Sequence, residues 1–220
     1  MQNIIVAIDG PAGSGKSTIA KIIAEKYNFT YIDTGAMYRM ITLFCLDNNI
    51  DLSDEKAIKF ALDTKIKIDM QGNKFFLNQK DVTKEIRELR VNKNVSKIAS
   101  IRVVRENLVN MQREISKCKN VILDGRDIGT VVFPNAQIKI YLIASSEERA
   151  KRRYREHQEK GDKISYEEVL NSIKERDFID STRKESPLVK AEDAVELDTT
   201  NLNIEEVLAF ISKEIEKKNN

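Results

Sequence analysis

The feature that most constrains this chain is a glycine-rich loop between an apolar run and a helical pattern. Residues 3–8 (NIIVAI) are rich in β-branched side chains, which is typical of a strand buried on both faces. Residues 16–27 place three isoleucines on one stripe of a helix. The residues between them, 10–17, fit the P-loop pattern G-x-x-x-x-G-K-[ST]. Strand, loop and helix in this order predict the start of an α/β fold.

The loop predicts a phosphate-binding site. Its glycines allow consecutive backbone N–H groups to converge on one anion, and the following helix adds the positive end of its dipole. In such a loop Lys16 reaches the β- and γ-phosphates of a nucleotide, and the Ser17 hydroxyl holds Mg²⁺. The alternative is a glycine-rich turn with an exposed lysine, but such a turn needs neither a buried strand before it nor an amphipathic helix after it.

Length and charge narrow the class of protein. The 220 residues suffice for one large domain, or for a core with inserted lobes. Lys and Arg total 37 against 35 Asp and Glu, and a net charge of +2 weighs against a broad nucleic-acid-binding surface. No apolar stretch approaches the ~20 residues of a membrane span, and Asp9 comes too early for a signal peptide. We expect a cytoplasmic monomer with no membrane or nucleic-acid partner.

The cysteines and the histidine do not predict a metal or redox centre. Cys45 and Cys118 are far apart and match no such spacing, and the single His157 cannot form a histidine metal site. We expect two thiols in a reducing cytosol. His157 lies in the charged run REHQEK and is expected at the surface without a partner.

Strand and helix patterns alternate along much of the remaining chain. This alternation favours a parallel sheet flanked by helices, with ligands at the carboxyl ends of the strands. Further strands are expected at residues 120–123, 138–143 and 194–197, and a closing helix at residues 204–215.

Two segments depart from this alternation. Residues 65–78 alternate between polar and apolar side chains around Gly72-Asn73, which predicts a small β-hairpin. Helical patterns at residues 53–62 and 91–115 flank the hairpin, so we expect an inserted lobe. Residues 146–183 are the most charged part of the chain and predict two helices joined around Gly161-Asp162.

Polar residues follow two of the predicted strands. Asp124 comes directly after an apolar run, where it can act as the second acid of a phosphate site, and Arg126 faces the same crevice. The alternative is a turn with a solvent-facing ion pair, worth about 0–1 kcal/mol. Asp33 or Thr34 can be the N-cap of a helix, while Arg39 on that helix can hold a second phosphate.

Arginines are concentrated in the charged segment. Arg149, Arg152, Arg153 and Arg155 share one predicted helix, and spacings of three and four put Arg176, Asp180 and Arg183 on one face of the next. A charged face is usually a solvated face. However, two unit charges ~4 Å apart repel by ~4 kcal/mol at an effective dielectric of about 20, so joining two phosphates requires several fixed cations. Arginine grips phosphate bidentately, and an ionised phosphate needs no general base to attack.

Longer motifs extend the pattern over nearly the whole chain. They include IDGPAGSGKST, DTGAMYR, DVTKEIR, VSKIAS, VRENL, DGRDIGTVVFP, ASSEERAKRR, IKERDFIDSTR and SPLVKAEDAVELDTT. In this order and spacing the sequence closely resembles bacterial-type cytidylate kinases (CMP kinases), a nucleoside monophosphate kinase family of P-loop proteins. The hairpin lobe and the DGRD segment distinguish it from adenylate kinases. One departure is the absence of an expected proline near residues 101–102.

The resemblance implies a fold and an activity. The fold is an α/β P-loop nucleoside-kinase fold, with a nucleoside-monophosphate-binding lobe that contains a small antiparallel sheet and with a short helical lid. A single domain would span 1–220, with its core at 1–33, 118–148 and 184–220, the lobe at about 34–117 and the lid at about 149–183. The activity is transfer of the γ-phosphate of ATP to CMP or dCMP with Mg²⁺, in pyrimidine nucleotide metabolism.

The rival functions are distinguishable. Another monophosphate kinase would use UMP or AMP as acceptor. A nucleotide-switched regulator would need a guanine-reading Asn-Lys-x-Asp segment, which the sequence lacks. Nucleic-acid binding through the arginines at residues 149–155 is weakened by the acidic neighbours Glu147, Glu148 and Glu156.

The resemblance also implies roles for individual residues. Those expected around ATP are Gly10, Pro11, Ala12, Gly13, Ser14, Gly15, Lys16, Ser17, Thr18, Arg149 and Arg152. Those expected around the acceptor are Thr34, Tyr38, Arg39, Gly125, Arg126 and Arg183 near its phosphate, Ser96, Arg105 and Asp127 at the cytosine, and Arg176 and Asp180 at the sugar side. The catalytic cations would be Lys16, Arg126, Arg153 and Arg183, and the metal would be held by Ser17 and, through water, by Asp124.

Overall fold

The structure is a computed structural model that describes residues 3–159 and 161–219. The described residues form two compact units. The first comprises the residues up to Ile32 and those from Cys118 onward, and the second comprises Asp33–Lys117. Each unit is described by itself below.

A five-stranded sheet and a three-stranded sheet account for the strands. They are β1 (Ile5–Asp9), β2 (Thr30–Asp33), β3 (Ile68–Gln71), β4 (Lys74–Leu77), β5 (Lys80–Asp81), β6 (Val121–Gly125), β7 (Ile138–Ile143) and β8 (Val195–Asp198). The larger sheet has the order β2-β6-β1-β7-β8, and the pairs β1–β6, β1–β7 and β7–β8 are parallel. The predicted parallel sheet is confirmed: β1, β6, β7 and β8 end within two residues of the strands expected from the sequence, whereas β2 was not predicted.

Eight α-helices complete the described fold. They are α1 (Lys16–Tyr27), α2 (Thr34–Asp47), α3 (Glu55–Thr64), α4 (Leu89–Ala99), α5 (Arg102–Ile115), α6 (Ser146–Glu159), α7 (Tyr166–Thr182) and α8 (Ile204–Asn219). No helix in the described part of the chain combines the length and apolarity needed to cross a bilayer.

The core of the first unit explains the continuous apolar runs. Strand β1 lies between β6 and β7, and Val6, Ala7 and Ile8 are almost completely buried. Ile23 of α1 and Ile211 of α8 belong to the same buried cluster. A strand covered in this way needs apolar side chains on both faces, because burying each large aliphatic side chain contributes about 1.5–3 kcal/mol.

Strand order brings the predicted site segments to one edge of the sheet. In the parallel β1–β6 pair Asp9 lies opposite Gly125, so the loop after β1 and the DGRD segment, which begins in the last two residues of β6, lie side by side. This edge carries the carboxyl ends of the strands, where α/β proteins bind ligands.

The second unit confirms the hairpin and divides one predicted helical pattern. Strands β3 and β4 are antiparallel around the turn at Gly72, and β5 adds a third strand that the sequence did not predict. The helical pattern predicted at residues 91–115 is confirmed, but a break at Ser100 and Ile101 divides it into α4 and α5. The Ser100 hydroxyl donates to the carbonyl of Lys97, and Ile101 is extended with φ −82° and ψ 120°. Both helices bury an apolar face, so hydrophobic periodicity alone does not reveal this break.

The two charged helices α6 and α7 are confirmed, but the prediction for His157 is wrong. Only 14% of its side chain is exposed, and its Nδ1 lies 2.7 Å from a carboxylate oxygen of Asp162. Gly161, with φ +76°, reverses the chain after α6 and brings Asp162 back to His157. Helix α7 begins with a capping box formed by Ser165 and Glu168.

Gly10 provides a test of this packing. A Cβ at this position would overlap the backbone oxygen of Leu142. In addition, Gly10 has a φ of +146°, a backbone conformation that is strained for any residue with a side chain. We expect Gly10→Ala to lower the free energy of unfolding by about 3 kcal/mol, the sum of overpacking and backbone strain. The matched control is Gly72→Ala, which has φ +59° but no atom within 4 Å of its Cβ, and which should cost only about 1 kcal/mol. Denaturant unfolding measures both, and equal losses would contradict the close approach to β7.

Candidate active site

The phosphate loop encloses a buried lysine. Nζ of Lys16 donates to the carbonyl oxygen of Pro11 at 2.6 Å and to the Ser14 hydroxyl at 3.1 Å. Burial lowers the pKa of Lys16 well below its ordinary value, and the positive charge of Arg126 acts in the same direction. A phosphate bound here would be stabilised, because its negative charge attracts the positive charges of both Lys16 and Arg126.

A carboxylate and a hydroxyl meet beside the loop. The Ser17 hydroxyl donates to Oδ2 of the buried Asp124 at 2.6 Å, and the Tyr31 hydroxyl donates to Oδ1 at 2.7 Å. Such oxygen donors suit Mg²⁺, which keeps several waters and phosphate ligands and needs few protein groups. The described residues contain no group of three or more His, Cys, Asp or Glu side chains that could hold a metal alone. The oxygens of Ser17 and Asp124 fit a magnesium ion that a nucleotide carries.

Three arginines surround one buried aspartate. Asp180 lies 2.8 Å from Nε of Arg126, 3.8 Å from Nε of Arg176 and 3.9 Å from Nη1 of Arg183. Burial disfavours the ionised form of Asp180, but the charges of Arg126 and Arg176 hold its pKa below the ordinary value. The predicted common face of Arg176, Asp180 and Arg183 is confirmed.

The same cluster includes Asp127 and has a strong local field. Nη2 of Arg183 lies 4.0 Å from Oδ1 of Asp127, so three guanidinium groups face two carboxylates. Burial and the neighbouring charge of Arg126 lower the pKa of Arg176 to about 10. Asp124 and Asp177 also act on Arg126, so carboxylates hold these guanidinium groups in place, where they can bind several oxygens of a phosphate.

The arginines of α6 have different partners. Arg149 is buried and donates to the carbonyl oxygens of Ala12 and Ala144, and it pairs with Asp177 at 2.7 Å. Arg149 thus joins α6 and α7 to the backbone of the phosphate loop.

The other two α6 arginines named as ATP or catalytic residues lie further out. Arg152 donates to the carbonyl oxygen of Thr199 at 2.7 Å. Arg153 is 34% exposed and pairs with Glu156. Of the three, Arg153 has the most exposed side chain.

In the second unit, Asp33 organises the start of α2. Its side chain accepts from the Ala36 N–H at 2.8 Å, which confirms the N-cap alternative, and it lies 2.7 Å from Nη2 of Arg87. Burial disfavours its ionised form, but the charges of Arg87 and Arg39 lower its pKa. Nη1 of Arg39 lies 2.9 Å from the position that a Cβ on Gly35 would occupy. The missing side chain at Gly35 therefore lets Arg39 fold over the start of the helix.

The remaining predicted acceptor residues of this unit lie on α2, α4 and α5. Thr34, Ser96 and Arg105 are buried. The guanidinium carbon of Arg105 lies 5.4 Å from the ring centroid of Tyr38, and its Nη1 donates to the carbonyl of Ala99. A buried arginine is costly without such partners.

Three functional candidates escaped prediction from the sequence. Arg87 lies in the motif DVTKEIR and Asp9 in the motif IDGPAGSGKST, but Tyr31, inside β2, has no such signal. Asp9 is buried and accepts from the N–H groups of Ile128 at 2.9 Å and Gly129 at 2.7 Å. It thereby holds the π-helical turn Ile128–Val132 that follows Asp127.

The fold and this site define a P-loop phosphotransferase of the nucleoside-kinase fold. The profile of the family described as "Cytidylate kinase" matches residues 6–217. The cytidylate kinase of Fusobacterium nucleatum subsp. nucleatum is 70% identical over 217 residues, which cover 99% of either chain. That of Carboxydothermus hydrogenoformans is 53% identical and covers 97% of this chain and 98% of its own. The chain therefore belongs to the cytidylate kinase family.

A solved structure supports the fold independently. The crystal structure of an uncharacterized protein from Eubacterium ventriosum matches 98% of this chain and 99% of its own, with a TM-score of 0.53 and 15% sequence identity. At this identity the likeness concerns the fold alone.

The titration of Asp9 gives a testable consequence of its burial. Burial raises its pKa from 3.8 to about 6, despite the two N–H donors. Because the folded state binds this proton more tightly than the unfolded chain does, stability from this group falls as pH rises from about 4 to about 6. We expect wild type to lose about 2 kcal/mol relative to Asp9→Asn between pH 4 and pH 7. Denaturant unfolding at both pH values measures this difference, and a pH-independent difference would contradict it.

Proposed function

We propose that this protein transfers the γ-phosphate of ATP to CMP or dCMP, forming ADP and CDP or dCDP. The observation that carries the proposal is the arginine cluster around Asp180, beside a phosphate loop. The charges of Arg126 and Arg176 lower the pKa of Lys16, so the loop and the cluster share one electrostatic field, which the carboxylates of Asp124 and Asp9 partly offset. Such a field suits a reaction in which two phosphates must approach each other.

The reaction needs cations more than it needs a base. An oxygen of the acceptor phosphate bonds to the γ-phosphorus of ATP while the bond from that phosphorus to the bridging oxygen breaks, and the electron pair leaves with ADP. In our proposal Lys16 and the loop N–H groups hold the donor phosphates, and Arg126 and Arg183 neutralise the acceptor phosphate. Arg153 on α6 reaches the transferred group.

The metal belongs to the same proposal. Ser17 and Asp124 would hold Mg²⁺, Asp124 through water. When bound, Mg²⁺ neutralises charge on the β- and γ-phosphates. The hydrogen bond between Ser17 and Asp124 supports a shared role in holding the metal, because it keeps the Ser17 hydroxyl oxygen and Oδ2 of Asp124 next to each other.

Segments of the chain have distinct roles in this proposal. Residues 149–183 act as a lid that closes over ATP and excludes water, which prevents hydrolysis. Residues 34–117 bind the acceptor, with Thr34, Tyr38 and Arg39 near its phosphate. The free thiols of Cys45 and Cys118 support a reducing, cytoplasmic setting.

Recognition of cytosine is assigned to three side chains. Ser96, Arg105 and Asp127 read the base, and Arg176 and Asp180 contact the sugar side. Cytosine carries an N4 amine that donates to a carboxylate, whereas uracil carries an acceptor at that position. A uracil ring would leave Asp127 facing another acceptor, and such mismatches discriminate strongly.

The acceptor preference tests this function. We expect kcat/KM for CMP to exceed that for UMP and AMP by about 100-fold or more, and Asp127→Asn to reduce the CMP/UMP ratio by about tenfold. A coupled ADP-release assay with CMP, dCMP, UMP and AMP measures these values. Asp63→Asn, on the exposed face of α3, is the control and should leave the ratio unchanged. Comparable turnover of CMP and UMP by wild type would contradict the base assignment.

The phosphate loop has its own test. Lys16→Ala should lower kcat/KM by about 100-fold or more, because the lost cation stabilises the charge of the transferred group. Lys56→Ala on α3 removes an equal charge from an exposed site and should have no effect. Circular dichroism verifies folding of both variants. Near-normal turnover of folded Lys16→Ala would disprove the loop assignment.

A further inference from the structure

The carboxylate of Asp124 is held at both of its oxygens. Oδ2 accepts from the Ser17 hydroxyl at 2.6 Å, and Oδ1 accepts from the Tyr31 hydroxyl at 2.7 Å. The role of Ser17 and Asp124 in metal binding is part of the proposed function, but Tyr31 has no role there. The hydrogen bonds therefore form a chain that runs from Tyr31 through Asp124 to Ser17.

The fold fixes the phenol of Tyr31 in this position. Tyr31 lies in β2, which neighbours β6 in the sheet, and the N–H of Thr30 donates to the carbonyl of Asn120 at 2.9 Å. Nζ of Lys21, on α1, lies 5.8 Å from the centroid of the tyrosine ring. Strand pairing and this cation thus restrict the ring, so that its hydroxyl has a defined direction.

The geometry of magnesium makes the orientation of Asp124 important. Mg²⁺ requires near-ideal octahedral coordination, so small rotations of a ligand or of a carboxylate that orients bound water weaken it. When the Ser17 hydroxyl donates its only proton to Asp124, its lone pairs remain available to a cation. Asp124 can orient Ser17 in this way only while its own plane is fixed, and the Tyr31 hydroxyl fixes the oxygen on the other side.

We propose that Tyr31 is a positioning residue of the magnesium site, whose hydroxyl holds Asp124 in the orientation that prepares Ser17 and Asp124 for the Mg²⁺ carried by ATP. This rests on the proposed function, because it takes the magnesium complex of ATP as the ligand. Removal of the hydroxyl takes away the hydrogen bond to Oδ1 of Asp124 without removing any charge. The expected consequence is weaker binding of Mg²⁺ with the nucleotide contacts intact. Loss of a hydrogen bond that orients a metal ligand typically costs 10–100-fold in metal affinity.

The test uses Tyr31→Phe, which deletes the hydroxyl and keeps the ring. The matched control is Tyr27→Phe, because the Tyr27 hydroxyl also donates to a carboxylate, that of Glu216, at 2.8 Å on the surface of the same unit. A fluorescent ATP analogue reports nucleotide binding during a Mg²⁺ titration, with no acceptor present. We expect the Mg²⁺ concentration at half-saturation to rise about tenfold in Tyr31→Phe and to stay unchanged in Tyr27→Phe.

Two further measurements separate positioning from a structural effect. Binding of the analogue in EDTA and the KM for CMP should be the same in Tyr31→Phe and wild type, and the thermal midpoints should agree closely. A Mg²⁺ midpoint within twofold of wild type would overturn the proposal. Equal weakening of metal-free binding would overturn it as well, because the hydroxyl would then support the loop as a whole.

A double-mutant cycle gives an independent check. If Tyr31 acts through Asp124 on the metal that Ser17 binds, then the effects of Tyr31→Phe and Ser17→Ala on the Mg²⁺ midpoint are non-additive. Additive effects would overturn the proposal. If wild-type protein binds the analogue with Mg²⁺ but does not phosphorylate CMP, only the acceptor assignment is contradicted. Failure of the proposed function and failure of the Tyr31 proposal are therefore distinguishable.

Discussion

The pairing of buried charges at one edge of the parallel sheet is the interaction on which the rest of the structure depends. A buried charge without a partner is costly, and removal of one member of a buried pair leaves the other uncompensated. The first unit buries several charged side chains close to the loop and the DGRD segment. They are Asp9, Lys16, Asp124, Asp127, Arg149, Asp180 and Arg183. The charges of Arg126 and Arg176 keep the pKa of Asp180 low, whereas burial raises the pKa of Asp9 and lowers that of Lys16, so not every charge at this edge is fully compensated.

This arrangement prepares the site before any substrate arrives. Asp180 holds Arg126 at 2.8 Å, and the turn bonded to Asp9 follows Asp127 directly. Fixed cations stabilise developing charge without reorganisation during the reaction, and such preorganisation is usually the largest contribution to catalysis. The same contacts thus stabilise this edge of the sheet and orient its positively charged side chains.

The sequence predicted features that adjacent residues form better than features that depend on contacts elsewhere in the fold. The loop after β1 and its helix were predictable because strand, glycine pattern and helix are adjacent in the chain. The hairpin around Gly72 was predictable for the same reason, since alternation and turn residues are local signals. The break at Ser100 was not, because α4 and α5 continue one apolar periodicity. The partner of His157 was also missed, because the turn at Gly161 brings Asp162 back from five residues away.

The sequence by itself determined the α/β class, the phosphate loop and the family resemblance, because these reside in contiguous motifs whose spacing carries the chemistry. Only the tertiary structure decided which side chains meet across the sheet. Tyr31 and Asp124 are separated by 93 positions, and Asp9 and Gly129 by 120, yet both pairs are in hydrogen-bond contact. Strand order places these pairs side by side, and the order in which strands join a sheet leaves no mark on the residues of any one strand.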